Sequence, residues 1–167
     1  MDAAAKRRHA ERVRRTVTKL VQVHGFVRGK PTFWARPREH VVEFIHLHLF
    51  RFGPKFRAHC GIRVLNDSFE AIALNGPTSD EYWSGASRIY DLSFEVDTSS
   101  VARCAVAIDT FRLEVAELWF QQFADVEKLL ASTSPLKERE RSGLELSYRG
   151  ESKPAAVALS RELLGVA

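Results

Sequence analysis

The sequence predicts an α+β fold: an antiparallel sheet of about four strands, with two long helices packed on one face and a C-terminal helix. Residues 40–67 contain two apolar, β-branched and aromatic segments separated by Gly53 and Pro54, which is typical of a β-hairpin. Residues 2–24 and 98–130 instead place apolar side chains at helical spacing. Pro154 and Gly165 bracket a last helix of the same kind.

Length and composition indicate one domain over residues 1–167, with a core over about 1–131 and a C-terminal helical extension over 132–167. The chain is 45% hydrophobic and 28% charged, as soluble globular proteins are. No apolar run reaches the roughly 20 residues that cross a membrane, and we expect no membrane partner. The charged N-terminus lacks the apolar segment of a signal peptide. Cys60 and Cys104 are predicted to be buried free thiols, so we expect a cytoplasmic location.

Local patterns place the remaining elements. Asp2 is expected to cap the first helix and Gly25 to end it. A cap at Thr98, Ser99 or Ser100 should begin the second long helix, with a break near 123–125. The connection over 66–86 is long enough to be a functional loop. Three short segments are predicted as strands: one over 26–36, a half-buried one over 87–96, and a weak edge strand over 144–148.

Alternation along the hairpin sorts its side chains into two faces. If Gly53 and Pro54 are the central turn residues, His48 lies opposite His59, and a slip of one residue would exchange the faces of the second strand. The odd-numbered face is plainly apolar and should hold the two long helices. Its residues include Ile45, Leu47, Leu49, Phe56, Ala58, Cys60, Ile62 and Val64.

The even-numbered face mixes aromatic, imidazole and guanidinium groups, a combination found where proteins bind partners. We therefore predict that this face binds a protein partner or a second copy of the chain, together with an aromatic residue of the 66–86 loop. The alternative is that the C-terminal helix covers this face. The predicted partner-binding residues are Phe44, His46, His48, Phe50, Arg57, His59, Arg63 and Trp83.

The three histidines of the same face offer a different interpretation. His46 and His48 project from one strand and His59 from its partner, so their imidazoles could hold a zinc ion with one position left for water. Metal-bound histidines usually have a carboxylate behind them, and the nearby sequence supplies no obvious one. We keep zinc as an alternative cofactor for a metal-binding protein or hydrolase, and no cofactor as the leading expectation.

The first helix carries a basic cluster that suggests a third kind of partner. Lysines and arginines of this kind can neutralise phosphates, so nucleic-acid binding is a further alternative. A solvated helix face is the simpler interpretation, in keeping with the modest net charge of +4. The cluster consists of Lys6, Arg7, Arg8, Arg12, Arg14, Arg15 and Lys19.

The layout resembles a bacterial family of unknown function, the domain-of-unknown-function family numbered four-three-zero-four. The resemblance covers about residues 5–130 and is carried by hydrophobic patterns: HGFVR at 24–28, TFW at 32–34, WF at 119–120 and FADVE at 123–127. It implies an α+β fold with no established activity and supplies no functional residues. Similar small bacterial domains act as immunity proteins, an analogy of fold class only.

Motifs typical of enzymes are missing from the sequence. It has no phosphate-binding glycine loop, nucleophile elbow or paired-cysteine metal motif. We therefore expect a non-enzymatic interaction protein, immunity-like or regulatory, and assign no catalytic residue.

Overall fold

A four-stranded antiparallel sheet forms the centre of the structure, a computed structural model that describes residues 2–80, 90–95 and 97–167. The strands lie in chain order, each paired with the next: β1 (Val27–Lys30), β2 (Phe33–Pro37), β3 (Val41–Leu49) and β4 (Phe56–Val64). The predicted α+β architecture is confirmed. The expected single strand over 26–36 is instead the β1–β2 hairpin, and residues 90–95, the described part of the strand expected over 87–96, add no strand to the sheet.

The helices flank this sheet, and none in the described part of the chain has the length and apolar character of a membrane span. Asp2 caps the first helix as predicted, since its Oδ1 accepts a hydrogen bond of 2.7 Å from the Ala5 amide. The second is capped by Asp97 rather than by the expected Thr98, Ser99 or Ser100. The helices are α1 (Ala3–Val21), α2 (Thr98–Phe111), α3 (Glu117–Gln122), α4 (Val126–Leu130), α5 (Glu138–Tyr148) and α6 (Pro154–Leu164).

The boundaries of α3, α4 and α5 test two of the sequence predictions. The break near 123–125 is confirmed, because α3 ends at Gln122 and α4 begins after Asp125. The edge strand expected over 144–148 was wrong, because those residues belong to α5. Gly143 lies inside α5, where a Cβ would stand 2.4 Å from the Asn66 carbonyl oxygen. This glycine therefore allows α5 to pack closely against Asn66.

The odd-numbered face of the hairpin, here called the inner face, is the core of the protein, as predicted. Ile45, Leu47 and Ala58 are buried against apolar residues of α1 and α2 in one continuous cluster. Cys60 and Cys104 lie in this cluster as free thiols. Burial raises the pKa of both and brings that of Cys104 to about 12. The core therefore keeps both thiols protonated and unreactive.

The strand register differs from the predicted one by two residues. His46 pairs with His59 and His48 with Arg57, so the connection between β3 and β4 is longer than a two-residue turn. An even shift leaves every side chain on its expected face. His46, His48 and His59 consequently share the even-numbered face, here called the outer face.

Residues 75–79 of the 66–86 loop cover the free edge of β4. The Cys60 amide donates to Pro77, and the Ser79 amide donates to Ala58. The side chain of Asn75 donates to and accepts from the Ile62 backbone at 2.9 Å, as a neighbouring strand would. These contacts satisfy backbone N–H and C=O groups on the edge of β4. Left unpaired, such groups could pair with a strand of another chain.

Helix α6 covers one half of the outer face. Leu164 is buried there, together with the covered half of the sheet (Ala35, Val42, Phe44, Gly61 and Arg63). The end of α6 meets β1 at two glycines, where a Cβ on Gly29 would lie 1.9 Å from the Gly165 carbonyl oxygen. The alternative that the C-terminal helix covers this face therefore holds for one half only.

A chain of alternating charges runs from the α2–α3 junction to the end of the sheet. Arg36 holds Glu117 through two hydrogen bonds of 2.8 and 2.9 Å and Glu43 through one of 2.7 Å. Between α2 and α3 the helix widens into one π-helical turn, which brings Arg112 within 3.2 Å of Glu117, five residues on. The charge chain consists, in order, of Asp109, Arg112, Glu117, Arg36, Glu43 and Arg38.

Candidate functional site

The other half of the outer face is not covered by α6 and forms the candidate site. Pairing across three strands places Phe33, His46 and His59 in one row, and His48 and Arg57 form the next row. His48 is exposed, and the other four are half-buried. We call these five residues and Phe50 the open half of the outer face.

The aromatic rings of the first row contact one another in sequence. The Phe33 and His46 rings are 4.4 Å apart between centroids, with planes inclined by 32°. His46 and His59 follow at 5.7 Å. On the other side, Phe33 meets Phe44 of the covered half at 5.7 Å, which joins the open half to the core beneath α6. The row is therefore a continuous platform of aromatic rings.

A second cluster surrounds Phe50 near the β3–β4 connection. His48 meets this ring edge-on at 5.6 Å, and the Arg57 guanidinium lies 5.1 Å from its centroid. Arg57 is fixed by Asp80, which accepts its Nε hydrogen at 2.7 Å and also accepts from the Thr78 hydroxyl. Partial burial acts to raise the pKa of Asp80, but these two hydrogen bonds lower it below its ordinary value. The cluster thus holds a charged pair beside an aromatic ring.

His46 is neutral at physiological pH. Burial lowers its pKa from 6.5 to about 4, and the neighbouring His59, His48 and Arg14 add to the effect. Its Nδ1 is buried and makes no hydrogen bond to the part of the chain that the structure describes. The ring therefore acts as an aromatic packing surface and not as a cation.

We predict that acidification destabilises the protein through His46. The unfolded chain takes up a proton near pH 6.5 and the folded one only near pH 4, so stability is lost as the pH falls through this window. A shift of this size corresponds to about 3.4 kcal/mol of unfolding free energy, and screening by solvent at this half-buried ring reduces the expected loss to roughly 2–3 kcal/mol. Urea unfolding at pH 7 and pH 4 should show a smaller pH-dependent loss for His46→Phe than for the unchanged protein. An equal loss in both would contradict this assignment.

The structure places the predicted site residues in three groups. Five lie on the open half: His46, His48, Phe50, Arg57 and His59. Phe44 and Arg63 lie under α6 with at most 3% of their surface exposed, so a partner could not touch them without moving the helix. Trp83 lies outside the described residues.

Sequence reasoning missed two contributors to this surface. The sequence pattern places Phe33 in a strand but does not indicate on which face of the sheet it lies. In the structure its neighbour Trp34 is buried in the core and donates from Nε1 to the Thr18 hydroxyl. Alternation then puts Phe33 on the outer face, but only the pairing with β3 brings it to His46. Asp80 comes from a loop whose path the sequence does not indicate.

The histidines do not gather into a recognisable metal centre. Among the residues that the structure describes, no group of three or more His, Cys, Asp or Glu side chains could hold a metal ion. His46 and His59 are adjacent, whereas His48 lies one row further on and meets Phe50. The zinc alternative stays a prediction.

Several basic residues of α1 have partners within the protein. Lys6 donates to the Phe50 and Arg51 carbonyls at 2.6 and 2.9 Å. Arg14 is half-buried and lies 5.4 Å from the Phe56 ring centroid. Arg7, Arg8 and Lys19 are exposed. Nucleic-acid binding through this helix stays a prediction, carried by fewer free cations than the sequence suggests.

Comparisons of this chain with protein-family models, with curated proteins and with solved structures each found no match. The candidate site is therefore defined by its own geometry.

Proposed function

We propose that this chain is a non-enzymatic interaction protein, immunity-like or regulatory, that binds another protein through the open half of the outer face. The observation that carries the proposal is the division of that face. Phe44 and Arg63 are covered by α6, whereas the contacting rings of Phe33, His46 and His59 next to them are not. Aromatic and arginine side chains on a rigid sheet are the groups that contribute most to protein–protein binding.

The chemistry of the open half favours contact over catalysis. Its members carry phenyl, imidazole and guanidinium groups, with no thiol or hydroxyl nucleophile among them. The imidazole of His46 is held neutral by burial, which lowers its pKa to about 4. Such a surface loses little side-chain entropy when it is covered, because the rings already support one another.

The rim of this surface favours an acidic partner. Arg51 and Lys55 are exposed on the connection between β3 and β4, and the Phe52 ring between them is 84% exposed. Asp80 is an acidic group in contact with the open half, and Arg57 already compensates its charge. A partner segment with aromatic or aliphatic side chains and carboxylates would match both the rings and the basic rim.

Photo-crosslinking in the organism that makes the protein tests this proposal and captures the partner in the same step. The full chain would carry benzoylphenylalanine in place of His48, or in place of Leu118, an exposed apolar residue of α3. We expect one discrete heterologous adduct from position 48 and none from position 118.

With the purified partner, Phe50→Ala should weaken binding at least tenfold, because an aromatic anchor is lost. Leu118→Ala should leave the affinity unchanged.

Other results would contradict the proposal. Equal adducts from positions 48 and 118 would indicate non-specific contact. An adduct of twice the 18.9 kDa chain mass would identify a second copy as the occupant. Unchanged affinity of Phe50→Ala, with an unchanged melting temperature, would exclude this face as the binding surface.

A further inference from the structure

A pocket of about 430 Å³ lies away from the open half, where the turn before β3 meets α4 and α5. Its walls come from β3 and β4 with the turn before β3, from the α3–α4 connection and from α4 and α5, and they are mostly aliphatic or aromatic. Ligand pockets in proteins have volumes of about 300–1,000 Å³ and are lined in this manner, with a few polar groups that fix orientation. The apolar wall residues are Val41, Ile62, Phe123, Val126, Leu129 and Leu144.

The charge chain of the protein ends at this pocket. Its last carboxylate, Glu43, is buried and receives Arg36 and Arg38 at 2.7 and 3.1 Å on the same oxygen, Oε2. Glu43 is thereby compensated and offers little to a cation. Arg38 uses only Nε in this contact, and its two terminal nitrogens make no hydrogen bond to any residue the structure describes. The charge chain therefore presents a half-exposed guanidinium at the pocket.

His40 adds a second donor to the pocket wall. His40 Nδ1 and Ser147 Oγ share a hydrogen bond of 3.0 Å, and Ser147 Oγ shares another of 2.9 Å with Ser152 Oγ. In the tautomer whose Nδ1 accepts from the Ser147 hydroxyl, the ring proton lies on Nε2. The nearest carboxylate to Nε2 is that of Glu39 at 3.7 Å, beyond hydrogen-bond distance, and its side chain is 87% exposed. In that tautomer Nε2 is a donor with capacity for a ligand.

We propose that this pocket binds a small organic acid whose apolar chain or single ring lies among the aliphatic walls and whose carboxylate is bound by Arg38 and His40. A guanidinium whose two terminal nitrogens are free can donate two hydrogen bonds to one carboxylate. A neutral ligand cannot reproduce this bidentate, charge-assisted contact. The pocket volume lies in the lower part of the usual range, which favours a short acyl chain or one ring over a long lipid.

Isothermal titration calorimetry of the full chain with octanoate, octan-1-ol and octylammonium tests the proposal. We expect saturable binding of octanoate, at least tenfold weaker binding of octan-1-ol, and none of octylammonium. Arg38→Gln should weaken octanoate binding at least tenfold, because the bidentate contact is lost. Arg103→Gln, which removes an exposed arginine of α2 that does not line the pocket, should bind octanoate as the unchanged protein does.

A second variant separates pocket binding from surface adsorption. Ala124 is an exposed residue at the pocket wall, and Ala124→Trp should block octanoate binding by filling the entrance. Equal binding of octanoate by Arg38→Gln, or by Ala124→Trp, would overturn the proposal, as would equal affinities for the acid and the amine. The absence of saturable heat with octanoate at millimolar concentration would also overturn it. Melting temperatures of both variants confirm that each is folded.

Discussion

Replacing Arg36 with methionine is expected to lower the free energy of unfolding by about 3 kcal/mol. The substitution keeps an unbranched side chain over the Phe26 ring, from whose centroid the guanidinium lies 4.3 Å, but removes the charge between Glu43 and Glu117. Breaking a buried ion pair costs about 3–5 kcal/mol, because the remaining charge has lost both water and its partner. We expect the lower end of this range, since Arg38 and Arg112 still contact the two carboxylates.

The electrostatics of Arg36 support a large effect. Burial alone would lower its pKa, but the hydrogen bonds with Glu117 and the charge of Glu43 raise the pKa above its ordinary value. The folded protein therefore stabilises the charged form of this side chain. Arg36 also joins three elements, because it extends from β2 to Glu43 on β3 and to Glu117 on α3.

Urea unfolding at pH 7 measures this loss, with Arg38→Gln as the matched control. Arg38 contacts the same oxygen of Glu43 but is half-exposed, and exposed ion pairs contribute about 0–1 kcal/mol. A loss below 1 kcal/mol for Arg36→Met, or equal losses for the two variants, would show that the charge chain does not support the sheet in this way.

The two faces of the hairpin could be predicted from sequence because strand alternation is a local property. The register could not, since it depends on how the chain turns between Leu49 and Phe56. The predicted pairing of His48 with His59 was wrong by two residues, yet all faces were correct. Only an odd slip would have exchanged them.

Alternation also misled the prediction in one segment. Tyr90, Leu92 and Phe94 are buried, as their spacing predicted, but they belong to no strand. Their backbone makes scattered hydrogen bonds, such as those that Leu92 accepts from Phe56 and that Phe94 donates to Pro54. A pattern of period two reports which side chains are buried, and it does not report whether the backbone pairs continuously with a neighbour.

The limits of the candidate site depend on contacts that are distant in sequence. Arg63 is separated by 97 positions from Ser160, the residue of α6 to which its Nε donates. Nothing local distinguishes Phe44, which α6 covers, from His46 two residues later, which it does not. The mixed composition of the face indicated an unusual surface, and the path of the C-terminal helix decided which half stayed open.

Replacing Arg63 with methionine is expected to destabilise the protein by about 3–5 kcal/mol, the largest effect we predict for one substitution. Its side chain is 3% exposed and donates to the Ser160 hydroxyl at 2.8 Å and to three backbone carbonyls of the 66–86 loop. Methionine retains much of the apolar stem but removes the donor from all four acceptors, of which the Ser160 hydroxyl and the Asp67 carbonyl are buried. The three carbonyls belong to Asp67, Phe69 and Ala71, at 3.0, 2.8 and 2.7 Å.

The loss of stability should be largest in the segments that Arg63 joins to β4, which are α6 and the 66–86 loop. We expect hydrogen exchange to quicken first in α6 and in residues 66–75, and urea unfolding at pH 7 to give the total loss. Arg57→Met is the matched control, because Arg57 is an arginine of the same strand and face whose pair with Asp80 is partly exposed. It should cost less than about 1 kcal/mol. Equal losses of unfolding free energy for the two variants, or unchanged hydrogen exchange in α6, would mean that apolar packing around Leu164 holds α6 on the sheet without Arg63. The boundary of the open half would then depend on that packing alone.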